Sequence, residues 1–495
     1  MNRQLMKVLV SAVLLVASGS VLGQQNWTGN ESDDWFDAAN WSGAVPTSAT
    51  NSVRINTVNP NPAVIEGAAA ETGSSFSVGH TSRGELRILN GGSLVSGTSA
   101  AIGSQSAGDG RVLIGGGGSI WQVQSISIGS FGAAEVEIED GGRMHVLGSG
   151  VTSFGQSNVN ASASITISGP ESRLDIEGRF WLGHLGSGAM TITDGAQVTW
   201  AGTGSNLAQA GNSQGELLLI GTGSLLEGSR LHVGNGDTSG TNLASAYLRL
   251  GDGAMLRITG PGSPPNHRVV IASNSRSEGE MVIGGPSGEA PEPPGQMELD
   301  GGILFSNGAG TLVFNHAGEL DLPFPIEGPN NGTAHIRVEN GTTLFSGQPF
   351  DYSGSLQIDA GAVFGAGGQL GDVVNEGRLV ASPGRTATLT IAGDYAHGQD
   401  AVLEIQFEPG VTADLVEVDG EATFAGGAID FLVLPGDYGQ TPLDGTYPIL
   451  TASGGISGDL PALQVANPNA FELVQDGNSL SVIVSDQMHR DRFED

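Results

Sequence analysis

The 495-residue sequence has no cysteine, so disulfide frameworks and thiol chemistry are excluded. Freedom from disulfides would also help a chain that must cross an outer membrane unfolded. Lysine occurs once, at Lys7, and 19 basic residues face 52 acidic ones, for a formal charge of −33. An acidic surface of that size repels phosphate, so nucleic acid and anionic lipid are not expected partners. Aromatic residues make up 5%. Outside the first twenty or so residues no long segment has an apolar period of 3.6, which argues against helices. No later apolar run reaches the ~18 residues of a spanning helix, so no integral membrane segment is expected once the leader is removed.

What is present in excess is glycine, 80 residues without a collagen triplet, and a phrase that returns. From Gly84 to Ile283 an apolar alternation, a Gly-rich turn and a further apolar residue recur. The first copies are Gly84-Glu85-Leu86-Arg87-Ile88 with Asn90-Gly91-Gly92, then Arg111-Val112-Leu113-Ile114 and Glu135-Val136-Glu137-Ile138 with Asp140-Gly141-Gly142. The anchors Ile88, Ile114, Ile138, Ile167, Ile192, Leu219, Leu250 and Ile283 lie about 24 to 33 residues apart, a solenoid period. Apolar-Gly pairs such as Ile102-Gly103, Ile128-Gly129, Phe154-Gly155 and Leu182-Gly183 end a second strand in each unit. The alternation places Leu86 and Ile88 on one face and Arg87 on the other. Stacked units then bury one continuous column, and the expected fold is all-β, a right-handed parallel β-helix. An antiparallel sandwich also has many short strands, but it does not repeat its turn chemistry in register. At ~4.8 Å per coil, roughly 13 to 16 coils would extend about 60 to 80 Å.

The N-terminus carries Arg3 and Lys7, an apolar run from Val8 to Ala17, then Ser18-Gly19-Ser20-Val21-Leu22-Gly23. This predicts a secretory signal peptide over 1–23 with cleavage after Gly23. The expected segments that follow are a cap and first coils over 24–80, a repeat β-helix over 81–300 and a strand-repeat β-helix over 301–385. A C-terminal cap over 386–485 and a charged tail over 486–495 complete the chain. Trp27, Trp35 and Trp41 near the mature start are read as a plug for the open end of the column, as terminal units require. Their alternative role is stacking on sugar. Trp121, Trp181 and Trp200 lie in strands and are expected in the core or lining a groove.

Three blocks carry a family resemblance. The first is Trp27-Thr28-Gly29, Asp34-Trp35, Asn40-Trp41-Ser42-Gly43 and Val45-Pro46; the second runs from Gly310-Thr311-Leu312-Val313-Phe314 through Asn340-Gly341-Thr342 and Tyr352-Ser353-Gly354 to Ser382-Pro383-Gly384. The third and most specific comprises Leu389-Thr390-Ile391-Ala392-Gly393-Asp394-Tyr395, Ala413-Asp414-Leu415-Val416, Ala425-Gly426-Gly427, Tyr447-Pro448-Ile449 and Asn478-Ser479-Leu480. Together they resemble the passenger domains of bacterial type V autotransporters, pertactin-like β-helices with autotransporter-associated strand repeats. The resemblance implies an exported protein of a Gram-negative bacterium, extracellular or at the cell surface, with the periplasm as a further location. It also implies a C-terminal cap that assists folding. One departure stands out. Only eleven residues follow Val484, where the family continues into a membrane barrel. A separate outer-membrane export channel is therefore an expected partner. Asn59-Pro60-Asn61 is similar to a motif of two-partner-secreted adhesins, but Asn467-Pro468-Asn469 shows how easily the tripeptide arises.

No catalytic, cofactor-binding or metal residue is expected. Asp140, Asp194, Asp252 and Asp300 each precede glycine and would stack as a ladder of turn-formers whose side chains bond nearby amides. Gly211-Asn212-Ser213-Gln214-Gly215 matches the nucleophile-elbow string, but it sits in an inter-coil loop and lacks the required strand-to-helix context. Nine histidines show no zinc spacing. Gly108-Asp109-Gly110 and Gly236-Asp237 offer at most loose calcium contacts. The expected function is a non-enzymatic adhesin or stalk presenting loops, with Pro261–His267 and Gly284–Gly295 as presentation loops and a glycan or cell-surface ligand as partner. The alternatives are a secreted polysaccharide lyase or hydrolase with clustered acids on one face, and a structural coat protein.

Overall fold

The computed structural model describes residues 22–236, 242–260, 267–408, 412–434, 445–466 and 468–485. The expected signal peptide therefore lies almost wholly outside the described residues, as does the charged tail. No described helix is long and apolar enough to cross a membrane.

Each coil of the first half has three strands. One coil comprises Ala133–Glu139, Arg143–Val146 and Val151–Phe154. The seven-residue strand alternates outward and inward, so Ala134, Val136 and Ile138 are buried while Glu135, Glu137 and Glu139 face out. Pairing is parallel and unshifted from coil to coil. Ile88, Ile114, Ile138, Ile167, Ile192, Leu219, Leu250 and Ile283 form one row, each fully buried. The fold is thus a parallel β-helix, and the anchors of the sequence repeat are one column of its core. Followed from Ala63–Glu66 to Ile456–Asp459, this ladder has sixteen strands among the described residues. At ~4.8 Å per strand it extends about 70 Å.

The first corner of the coil alternates between two turn types. Asn90-Gly91, Asp140-Gly141, Asp194-Gly195 and Asp252-Gly253 have positive φ at both positions, the requirement of a type I′ turn. The intervening coils close instead through Gly116–Ser119, Gly169–Ser172 and Gly221–Ser224, with positive φ at Gly118, Glu171 and Gly223 as in type II turns. The fully buried serines of the type II turns lock each pair together. Ser119, Ser172 and Ser224 accept from the amides of Gly91, Gly141 and Gly195 at 3.0–3.1 Å. The chemical repeat is therefore two coils, and Asn90, Asp140, Asp194 and Asp252 recur at 50, 54 and 58 residues.

Both ends of the column are closed. Trp27, Trp35 and Trp41 are 3%, 0% and 5% exposed and meet edge to face at 5.1 and 4.7 Å, with Phe76 carrying the contact inward. The indole N–H of Trp41 donates to the Trp35 carbonyl and that of Trp27 to Asn61. Asn61, of the Asn59-Pro60-Asn61 tripeptide, thus serves the cap. These three rings plug the column and are not available for sugar stacking. At the other end Ser479–Val484 pairs antiparallel with both Gly445–Ala452 and Phe471–Asp476, ending the parallel ladder in a hairpin.

The middle strands form a separate nine-stranded sheet running from Ala69–Thr72 to Gln296–Leu299. Beyond it the corners open out. Ala309–Asp321 and Thr333–Tyr352 pair along their length with register shifts where the upstream coils have tight turns.

Candidate functional site

The outer surface of the nine-stranded sheet bears a row in which side chains alternate between hydrogen-bond donors and acceptors. In register they are Gln122, His145, Asp175, Thr199, Glu227, Arg257 and Glu298. The two-coil period seen in the turns thus reappears on the surface. Thr199 donates to Asp175 at 2.7 Å, and Arg257 donates to Glu298 at 2.7 Å and to Glu227 at 3.4 Å. Within strand Arg173–Ile176, Arg173 Nε donates to Asp175 at 2.7 Å. His145 Nε2 lies 3.1 Å from Glu177 Oε1.

A cleft of about 670 Å³ opens at this row, within the size range of ligand sites. It is hollow because the residues at its corner shrink after Glu177, to Ala201, Ser229 and Thr259 in successive coils. Ile176 and Trp200 form its apolar floor, and His145, Arg173, Asp175, Glu177, Thr199 and Glu227 its polar walls. Trp200 fits because Gly228 beneath it has no side chain. A Cβ there would lie 2.1 Å from the ring. Trp200 is 4% exposed, and its indole Nε1 has no protein partner.

Clustered acids on one face are what a glycoside-cleaving β-helix would show, so the geometry matters. The backbones of Asp175 and Glu227 are two coils apart, about 9.6 Å. Inverting enzymes hold their carboxyl groups ~6.5–9.5 Å apart and retaining ones ~5–5.5 Å. Asp175, Glu177 and Glu227 are each already engaged by a donor, Arg173 and Thr199, His145, and Arg257 respectively.

The residues singled out in the sequence fall elsewhere. Asp140, Asp194 and Asp252 occupy one corner but on alternate coils, about 9.6 Å apart, so they form no continuous ladder. Their role is backbone conformation, with φ of 50°, 56° and 52°. Asp300 is not at that position at all. It follows Gln296–Leu299, a middle strand, and accepts from the Gly260 amide at 3.3 Å. Ser213 is 1% exposed and bonds Ala210 across its own turn, as Ser277 does with Asn274, so the elbow string is a corner. Asp109 pairs with Arg83 at 4.0 Å, and Asp237 lies outside the described residues. Among the described residues no group of three or more His, Asp or Glu is disposed to hold a metal. Trp121 and Trp200 are core residues; Trp181 is half-buried, packed by His184 at 4.6 Å and with Arg179 at 5.4 Å from its ring.

Of the two expected presentation loops, Pro261–His267 lies outside the described residues except for His267. Gly284–Gly295 is described: its residues 287–291 are exposed, and side chains of the flank hold the loop in place. The buried Asn315 amide donates to Pro286 and Glu289, and the buried Glu339 accepts from Ser287 Oγ at 2.6 Å and the Gly288 amide at 2.7 Å. Arg249 pairs with Glu292, and Asp252 and Gly253 take their amide partners from Pro293 and Pro294. Desolvation, and then the Glu339 charge, raise the pKa of neighbouring Glu280.

No family model matches the chain. It is similar to the adhesin BmaC autotransporter of Brucella suis biovar 1, 24% identical over 361 residues, 68% of this chain and 10% of that protein. Two Escherichia coli K12 proteins are also similar: the uncharacterized protein YuaQ, 26% identical over 45% of this chain, and the uncharacterized lipoprotein YdeK, 28% over 43%. The matched regions amount to 15% and 16% of those two proteins. The chain thus spans a small part of each relative.

Proposed function

We propose that the protein is an exported, non-enzymatic β-helical passenger that acts at the cell surface or in the medium as an adhesin-like stalk. The observation that carries this reading is the similarity to an autotransporter adhesin over 68% of a chain whose strands form one capped β-helix. A ladder about 70 Å long, closed at both ends, presents flat faces at fixed spacing and is suited to reach and contact. A signal peptide over 1–23 and a separate outer-membrane channel are the proposed export route. The test is fractionation of producing cells, with attachment to a surface or neighbouring cells measured with and without the protein. The expected result is surface or medium location and weaker attachment when the protein is removed. A cytoplasmic location, or attachment unchanged by removal, contradicts the proposal.

A further inference from the structure

We infer that the cleft on the nine-stranded sheet is a binding site for a neutral oligosaccharide, held across successive coils by Asp175, Glu177, Thr199 and Glu227. The inference rests on the adhesin reading and names the ligand class of its contact site.

Two observations carry it. First, the cleft offers donors and acceptors in alternation at the ~4.8 Å spacing of the coils. A chain of linked sugars presents hydroxyls, each both donor and acceptor, at a comparable repeat along its length. Second, the carboxylates of the cleft, Asp175, Glu177 and Glu227, outnumber its one guanidinium, Arg173, so an anionic ligand is disfavoured. A polyanionic glycan would in addition meet the field of a chain carrying −33. The volume of about 670 Å³ accommodates a few sugar units.

Because these residues lie on the outer face of the sheet, they can be altered without touching the core. The test is calorimetric titration of the intact protein with hexasaccharides of β-linked glucose, xylose and mannose, and with hexagalacturonate as the charged arm. At least one neutral hexasaccharide is expected to bind, and hexagalacturonate is not. Asp175→Asn and Glu227→Gln should each weaken binding by about tenfold or more, the scale of a lost hydrogen bond to a charged group. Their melting temperatures should match the parent, which separates loss of the site from loss of the fold.

The inference is overturned if no neutral hexasaccharide binds, if hexagalacturonate binds in their place, or if both variants bind as the parent does. Attachment measured in parallel distinguishes this from failure of the adhesin reading. Attachment without sugar binding overturns the ligand and leaves the passenger role. Sugar binding accompanied by shortening of the hexasaccharide keeps the site and overturns the non-enzymatic role.

Discussion

The first half of the β-helix and the second are built on the same ladder but differ in what they bury. Between residues 83 and 260 the fully buried polar residues are serine, threonine and asparagine, and among the ionisable groups His232 is half-buried, its pKa lowered by burial to about 4. Between 309 and 434 the core admits His316, Glu339, His397 and Asp414, all less than 9% exposed. The first half turns tight corners whose orphan amides are met by Ser119, Ser172 and Ser224. The second half has long bent strands, and its interior polar groups serve as partners instead. Asn375 donates to the Val402 carbonyl, Tyr395 and His397 share a 2.8 Å hydrogen bond, and Asp414 accepts from the Ala387 and Gln406 amides at 2.8 Å. A regular column needs only small neutral polar groups inside, because serines of neighbouring coils meet its turn amides; an irregular one takes ionisable groups inside to hold its bends.

The comparison can be broken most sharply in the regular half. Ile138→Ala removes a fully buried anchor and should cost about 2–5 kcal/mol. In a ladder where coils contact mainly their neighbours, the loss of amide protection should centre on the coils around 138 and fade toward 400. Uniform loss over the whole chain in hydrogen exchange would show a single cooperative core instead.

Next in size are two opposed titrations in the second half. Burial holds His397 down to about 4 from an ordinary 6.5. The unfolded chain then binds the proton first, so His397 erodes stability as pH falls from 6.5 toward 4, by about 3 kcal/mol in all. Burial pushes Asp414 up to about 7 from 3.8. In that case the folded chain holds the proton, so stability declines as pH rises from about 4 to 7. Chemical denaturation across pH 4–7 should show His397→Phe gaining on the parent toward acid and Asp414→Asn gaining toward neutral pH. Parallel profiles for all three proteins would contradict the burial of these groups.

Smaller effects test the coil pair. Ser119→Ala leaves the Gly91 amide without its partner and should cost about 1–3 kcal/mol. Ser93→Ala, at a half-buried position of the neighbouring coil, should stay within about 0.5 kcal/mol. Smallest is Asp140→Asn. It keeps a residue tolerant of positive φ and removes only the charge, so stability should change by less than about 0.5 kcal/mol. A large gain on neutralising Asp140 would mean that the acids repel one another as a continuous ladder.

The fold was legible because Ile88 and its successors repeat a period-two alternation, which only a stacked ladder can bury in register. The tryptophan plug was legible for a related reason: an open column must be closed, and three indoles near the start are the means. The coil pair was hidden by the turns themselves, since Asn90-Gly91-Gly92 and Gly116-Gly117-Gly118 look alike until φ separates them. Asp300-Gly301-Gly302 imitates the repeat in composition while occupying another corner. The cleft is not legible in the sequence because His145, Asp175, Thr199 and Glu227 are brought together only by register, across 82 residues of chain. Aligning the middle strands Arg143–Val146, Arg173–Ile176, Gln197–Trp200 and Leu225–Gly228 would have exposed the alternation.

Binding without turnover is the claim on which the function rests, and one measurement addresses it directly. The intact protein is incubated to exhaustion with a neutral polysaccharide that it retains, and the polymer is followed by chain length and by new reducing ends. The account predicts retained polymer of unchanged length. Progressive shortening, abolished by Asp175→Ala or Glu227→Ala, would contradict it and make the cleft an active site.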